Sequence, residues 1–260
     1  MREFLGIGGY QRPAEGYFSR EHLTFATFLV FVMIATAVFI GIRNRNSAIE
    51  KKNRILVIAA ITLDTVEILK IILICIRNDD PFRWLYELPL FLCSMQMIAL
   101  PLAAFSKSRI KEAALDFVFI FGLLGALMGT YFAGNNYSCY PVISIDNVAS
   151  GITHCISGFA SLYIGISQMA SMKRKNVSLC IVILSAFCLV GYTVNHIIDY
   201  NYMFLMRGDG TPYDILFNWM GQSPVFYPLS VVALFMIYIG AYYFLYHRFV
   251  LKKRGKNNEA

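Results

Sequence analysis

The chain has 260 residues, of which 57% are hydrophobic and only 15% are charged, and its formal net charge is +7. Soluble domains carry roughly 25% charged residues, so this composition excludes an ordinary water-soluble domain and is typical of a protein that spans a lipid bilayer. The positive charge does not indicate nucleic-acid binding, because the basic residues lie in short loops between apolar stretches, where they determine membrane topology.

The N-terminal residues mix glycine, proline and charges of both signs. They lack the basic stretch, short apolar core and small-residue cleavage site of a cleavable signal peptide. We therefore predict that residues 1–22 form an extracytoplasmic segment and that the first apolar stretch directs the chain to the membrane.

Seven apolar stretches of about 20 residues follow, and this is the length needed to cross a hydrocarbon core of roughly 30 Å. They are too long for barrel strands and lipid cannot satisfy free backbone groups, so helices are expected. The predicted fold is all-α, a seven-transmembrane-helix bundle over residues 23–250, followed by a basic cytoplasmic tail over residues 251–260. The seven predicted spans are residues 23–42, 55–76, 84–105, 115–133, 148–170, 176–200 and 224–250.

The distribution of lysine and arginine predicts the orientation of these helices. The loops after helices one, three and five and the C-terminal end from Arg248 onward together carry 16 basic residues, whereas the N-terminus and the other loops carry six. By the positive-inside rule the first set is cytoplasmic, so the N-terminus faces outward and the C-terminus inward. We expect a multi-pass protein in the plasma membrane, specifically a bacterial cell membrane, with membrane lipids as its partners and no nucleic acid. No protein partner can be named.

The six cysteines include no CxxC pair, and most of them lie in or beside apolar segments. This pattern does not predict a disulfide framework or a zinc site. We expect no metal and no cofactor.

Ionisable residues inside a membrane are costly, so each is a candidate for function. In predicted helix two, Asp64, Glu67 and Lys70 are spaced three residues apart and fall on one side of the helix. They could form a self-neutralising ladder that faces the bundle interior. Alternatively, Glu67 orients a catalytic or substrate group.

A cysteine and a histidine fall at similar predicted depths in the outer half of the bundle. With a rise of about 1.5 Å per helical residue, Cys93 lies roughly 14 Å and His154 roughly 9 Å below the outer surface. An imidazole beside a thiol can activate it as a nucleophile for acyl transfer. Cys155 points about 100° away from His154 around the same helix and is the poorer partner. A metal site that used His154 and His196 lacks the usual ligand spacing.

Two stretches carry a family resemblance. Residues 88–94 read Leu-Pro-Leu-Phe-Leu-Cys-Ser, and Asn195 precedes Asn-Tyr-Met-Phe-Leu at residues 201–205, before Gly-Gln-Ser-Pro-Val-Phe-Tyr at residues 221–227. These stretches resemble the YwaF-like bacterial integral membrane proteins, which are similar to the eukaryotic transmembrane-protein-164 acyltransferases. Those acyltransferases move fatty acyl chains between phospholipids through a cysteine and a histidine.

The resemblance implies a seven-helix protein with lipid acyl chemistry. Glu67 and His154 look like the glutamate of helix two and the histidine of helix five in that family. Phe91 stands where the bacterial pattern has histidine, and the cysteine and histidine of the eukaryotic relatives fall near Leu90 and Phe91. Cys93, one helical turn beyond Leu90, is the cysteine that could take the nucleophile's place.

The leading hypothesis is therefore a lipid acyltransferase or acyl hydrolase in which Cys93 is the nucleophile and His154 the general base. Substrate-binding or orienting roles are predicted for four further residues, Glu67, Asn195, Asn201 and Tyr202. The alternative is a non-enzymatic transporter or lipid-binding accessory protein, in which the charges of helix two line a path. A seven-helix receptor is a third possibility.

Overall fold

The computed structural model describes residues 1–251, so residues 252–260 of the predicted basic tail lie outside the described residues. The described chain is helical and contains no β-strand. It divides into two compact units, Met1–Ala170 and a second unit that begins at Ser171. The helices of the first unit are α1 (Arg2–Leu5), α2 (Arg20–Asn44), α3 (Ile49–Arg77), α4 (Gln96–Phe105), α5 (Ser108–Tyr131), α6 (Gly134–Cys139) and α7 (Ile145–Ile166). Those of the second are α8 (Val177–Ile198), α9 (Tyr213–Trp219) and α10 (Phe226–Leu245).

Among the described residues, five helical stretches are long and apolar enough to cross a membrane. The chain is therefore a multi-pass membrane protein, which confirms the all-α and membrane-spanning part of the prediction. Helix α3 has the length to cross but carries Asp64, Glu67 and Lys70, and α4 is apolar but short. The count of seven therefore stays a prediction. The five stretches are Arg20–Asn44, Ser108–Cys139, Ile145–Ile166, Arg174–Ile198 and Phe226–Val250.

In the first unit, α5 and α7 form the central pair. Helix α2 packs on α7, α4 packs on α5, and α3 contacts both α4 and α7. Gly122 allows close approach, because a Cβ there would lie 2.8 Å from the Ser157 carbonyl oxygen. The Ser157 hydroxyl also donates to the Gly122 carbonyl across this contact, at 3.3 Å. Small residues and interhelical hydrogen bonds are the usual means of helix association in lipid.

The third predicted span is not one continuous helix, and this part of the prediction is wrong. Only its second half is α-helical, as α4, and before it a 3₁₀ turn at Arg83–Tyr86 leads into an irregular stretch. Pro89 has no N–H to donate, and it disfavours helical backbone at the residue before it. The Ser94 hydroxyl accepts from the Phe91 N–H at 3.0 Å and so competes with helical hydrogen bonding.

A buried ion pair joins the end of α3 to the start of α7, and the N-terminal segment docks on this pair through Tyr10. The Arg77 guanidinium, at the end of α3, donates two hydrogen bonds to the Asp146 carboxylate at 2.7 and 2.8 Å. The Tyr10 hydroxyl donates to the same carboxylate, and Arg77 lies over the Tyr10 ring at 5.6 Å. Residues 1–22 were predicted only as an external segment, and this docking was not foreseen.

Burial, followed by the hydrogen bond to Asp146, raises the pKa of Tyr10 from 10.0 to about 12. A raised pKa means that the folded state favours the protonated phenol. The contribution of Tyr10 to stability is therefore complete below its ordinary pKa and is lost as the pH rises through about 12.

We expect Arg77→Gln to destabilise the protein by about 3 kcal/mol, because it leaves the buried Asp146 carboxylate without its counter-ion. Arg207→Gln is the matched control, because Arg207 forms an exposed pair with Asp209 at 2.7 Å, and exposed pairs contribute about 0–1 kcal/mol. Thermal unfolding of the detergent-solubilised protein measures both variants. Equal losses for the two would contradict the structural importance of the Arg77–Asp146 pair.

Candidate active site

His154 lies in α7 with its ring held in one orientation. Its Nδ1 donates to the Ser150 carbonyl oxygen, one turn earlier, at 2.6 Å, and lies 3.3 Å from the Ser150 hydroxyl. A carbonyl oxygen can only accept, so Nδ1 carries the proton in the neutral ring and Nε2 is left with a free lone pair. Nε2 is buried and makes no hydrogen bond of ordinary geometry.

Cys93 supplies a thiol to this free nitrogen. It lies in the irregular stretch just before α4, and its thiol is close enough to the His154 imidazole for a direct side-chain and electrostatic interaction. The pair does not meet strict hydrogen-bond geometry, as is common for catalytic groups before substrate binds. The Ser94 backbone N–H also interacts with the Cys93 sulfur. The structure thus brings together the two residues predicted to form the nucleophile and the base.

Two glycines of α5 make room for this pair. A Cβ at Gly125 would lie 3.2 Å from the Cys93 Cα, and a Cβ at Gly129 would overlap Nε2 of His154. Residues four apart lie on the same face of a helix, so one face of α5 accommodates both groups. The four-residue spacing of these glycines is visible in the sequence, but it does not indicate what occupies the space beside them.

Next to the pair lies a chain of charges on α3 and the segment that follows it. The Lys70 ammonium lies 2.5 Å from the Glu67 carboxylate and 3.5 Å from that of Glu87. Glu67 is buried and interacts electrostatically with both Cys93 and His154. Its negative charge favours a positive imidazole and opposes a negative thiolate, and Lys70 offsets part of that charge.

The predicted ladder on α3 is therefore formed only in part. Glu67 and Lys70 pair as expected, but Oδ1 of Asp64 is buried without a hydrogen-bond partner. Within the described residues, no group of three histidine, cysteine, aspartate or glutamate side chains could hold a metal ion.

The three remaining predicted site residues belong to the second unit, where they shape the loop after α8. The Asn195 side chain accepts from the Tyr202 N–H at 2.6 Å and donates to the Tyr202 carbonyl at 3.0 Å. The Asn201 amide donates to the Arg207 carbonyl and to the Asp209 carboxylate, at 2.8 and 2.7 Å. These hydrogen bonds give the asparagines a loop-forming role, and contact with a substrate stays a prediction.

A comparison with protein families identifies the chain. The model of the TMEM164 family matches residues 17–243. The chain belongs to the TMEM164 family. This confirms the wider resemblance to transmembrane-protein-164 proteins, whereas the narrower YwaF-like assignment stays a prediction. No curated protein matches the chain significantly. No solved structure matches it either.

The matched range of the TMEM164 family includes every predicted site residue, from Glu67 to Tyr202. It also includes Gly125 and Gly129, which complete the surroundings of the Cys–His pair. The candidate site thus lies wholly within the part of the chain that defines family membership.

We expect Gly129→Ala to displace the His154 ring, because the new methyl group takes the space of Nε2. Overpacking of this kind costs about 1–3 kcal/mol, and the displaced ring loses its bond to Ser150. Alkylation of Cys93 by iodoacetamide, followed by mass spectrometry of its peptide, should slow at pH 7.

Gly240→Ala is the matched control, because nothing lies within 4 Å of a Cβ at that position in α10. It should leave Cys93 alkylation unchanged and should raise helix stability by roughly 0.5–1 kcal/mol. If Gly129→Ala also left the alkylation rate unchanged, the close contact between α5 and His154 would be refuted.

Proposed function

We propose that this TMEM164-family protein transfers or hydrolyses acyl chains of membrane lipids, with Cys93 as nucleophile and His154 as general base. The observation that carries the proposal is the unpartnered, buried Nε2 beside the Cys93 thiol, with Nδ1 fixed by Ser150. A nucleophile, a base and a group that orients the base are the parts that covalent acyl transfer needs.

The break in the third apolar stretch supports the same proposal. Irregular backbone at membrane depth is tolerated where it is buried in protein or lines a cavity, because lipid cannot satisfy its polar groups. Cys93 lies in such a stretch, with its Cα packed against Gly125. A nucleophile there is held in place by protein and is only partly buried.

In the first half-reaction, Nε2 of His154 takes the thiol proton and the sulfur attacks the carbonyl carbon of a lipid ester. The carbonyl electron pair moves to oxygen, and collapse of this tetrahedral intermediate breaks the ester C–O bond. The proton passes from His154 to the departing alcohol, a lysolipid, and the acyl group stays on Cys93 as a thioester.

In the second half-reaction, a hydroxyl group of an acceptor lipid attacks the thioester carbonyl. Its proton goes to His154 and then to the departing thiolate of Cys93, which restores the starting state. Water in place of the acceptor gives hydrolysis. Glu67 stabilises the positive imidazole in both halves. For Asn195, Asn201 and Tyr202 we propose a separate role, in which the loop they form holds a lipid head group.

We expect Cys93→Ala and His154→Ala to lose at least 10²-fold in covalent labelling by an alkyne-bearing long-chain acyl ester, because general acid–base catalysis alone contributes about 10²–10⁴. The label should be released by neutral hydroxylamine, which cleaves thioesters. In-gel fluorescence after coupling to a dye measures both properties.

Cys155→Ala is the matched control, because this cysteine follows His154 directly on α7 and should not be the nucleophile. If all three variants were labelled like the wild type, the acyl-transfer proposal would fail. Flux in proteoliposomes that Glu67→Gln abolishes would then support the alternative of a transporter.

We also propose that the chain crosses the plasma membrane seven times, with its N-terminus outside. The contacts at the two ends of α3 support a crossing by that helix. Near its start, Lys52 donates to the Ser167 carbonyl just after α7 at 2.8 Å, and at its end Arg77 binds Asp146 at the start of α7. Helix α3 therefore extends along the whole of α7, which is itself one of the five apolar stretches.

Seven crossings include α3 and α4, whereas five crossings leave both out. The two counts place the segment between α3 and α4 on opposite sides of the membrane and every other loop on the same side. We expect alkaline phosphatase inserted after Asp80 to be active, since this enzyme folds only outside the cytoplasm. The same insertion after Lys173, in the loop after α7, should be inactive. Inactivity at Asp80 would reduce the count to five.

A further inference from the structure

Gln96 is a buried polar residue three positions after Cys93, and it has no role in the reaction proposed above. It is the first residue of α4 and is only 1% exposed. Both Nε2 and Oε1 of its amide are buried without a hydrogen-bond partner. Buried polar groups are almost always paired, so a buried amide with no partner in the protein is a candidate for contact with a reacting group.

The direction of the Gln96 side chain follows from its place on the helix. The Cα–Cβ bonds of an α-helix tilt towards its N-terminus, and long side chains lie over the preceding turn. The residue three positions earlier is Cys93, whose carbonyl also accepts from the Gln96 backbone N–H at 3.4 Å. The unpartnered amide therefore leans towards the residue that carries the nucleophile.

A backbone N–H close to Gln96 in the chain already acts on the Cys93 thiol. Here the Ser94 N–H interacts with the Cys93 sulfur itself. The backbone N–H groups of Gln96 and Met97 bond to the carbonyls of Cys93 and Ser94 at 3.4 and 3.0 Å. The side-chain amide of Gln96 is therefore an unpaired donor at the start of α4.

We propose that Gln96 is a catalytic residue whose amide N–H stabilises the oxyanion formed on the ester carbonyl of an acyl lipid during attack by Cys93. The inference rests on the proposed function. When the sulfur–carbon bond forms, the carbonyl electron pair moves to oxygen and that oxygen accepts a hydrogen bond from Nε2 of Gln96. When the ester C–O bond breaks, the carbonyl reforms and the proton on His154 goes to the departing alcohol.

Two reactions of the same thiol separate this role from general effects on the nucleophile. Alkylation by iodoacetamide displaces iodide at a saturated carbon and forms no oxyanion. Acylation by the p-nitrophenyl ester of a fatty acid does form one. Both rates are measured at Cys93 by mass spectrometry, on the full chain in lipid nanodiscs, and Cys93→Ala gives the background.

Gln96→Met removes the donor and keeps the size of the side chain. It should lower the acylation rate by about 10²–10³-fold, the usual effect of losing one oxyanion donor, and leave the alkylation rate within about twofold of the wild type. Its melting temperature should be no lower than that of the wild type, because an unpaired buried amide has been removed. Met95→Leu, at the neighbouring fully buried position, is the control and should change neither rate.

Three results would overturn the inference, and they differ from one another. If Gln96→Met is acylated as fast as the wild type, Gln96 is not an oxyanion donor, although the proposed function stands. If both rates fall together, Gln96 only positions the thiol. If the wild type itself is alkylated but never acylated, the proposed function fails and the inference fails with it.

Discussion

The close approach of α5 and α7 is the contact on which the first unit depends. Lipid tails are as apolar as the helices, so burial alone does not hold two helices together in a membrane. Gly122 brings the backbones together, and the Ser161 hydroxyl donates to the Phe119 carbonyl across the contact at 2.8 Å. Gly125 and Gly129 continue this run of small residues along α5. The helix that forms the core therefore also provides the space in which Cys93 and His154 meet.

The break before α4 gives the site a property that a continuous helix could not provide. In a helix, the N–H groups around Cys93 would bond to carbonyls one turn earlier and would be unavailable to a ligand. Here the Ser94 N–H reaches the Cys93 sulfur instead, and α4 starts three residues after Cys93. The Ser94 N–H, which the break frees from helical hydrogen bonding, thus acts on the thiol. Lipid offers no competing hydrogen bonds to such a group.

Much of the fold could be predicted from the sequence, because helix length and loop charge are strongly constrained in a bilayer. Six of the seven predicted spans correspond to long helices. The exception is residues 84–105, where Pro89 and Ser94 redirect the backbone. Cys93 and His154 were expected at similar depths on the assumption of a continuous helix there. The structure places the two side chains close together although that helix is broken.

The groups around the Cys–His pair could not be predicted, because their roles depend on which faces of the helices meet. Glycine spacing indicates that another group packs closely against the helix, but it does not say which group. Nothing in the sequence indicates that the His154 ring packs against Gly129. The partners of charged side chains could be predicted only in part for the same reason. Lys70 was expected to neutralise residues of its own helix, yet it also reaches Glu87 from another segment, at 3.5 Å. Glu67 acts on the Cys93 thiol, and its negative charge opposes a thiolate in a medium of low dielectric. By pairing with Glu67 as well as Glu87, Lys70 reduces that opposition.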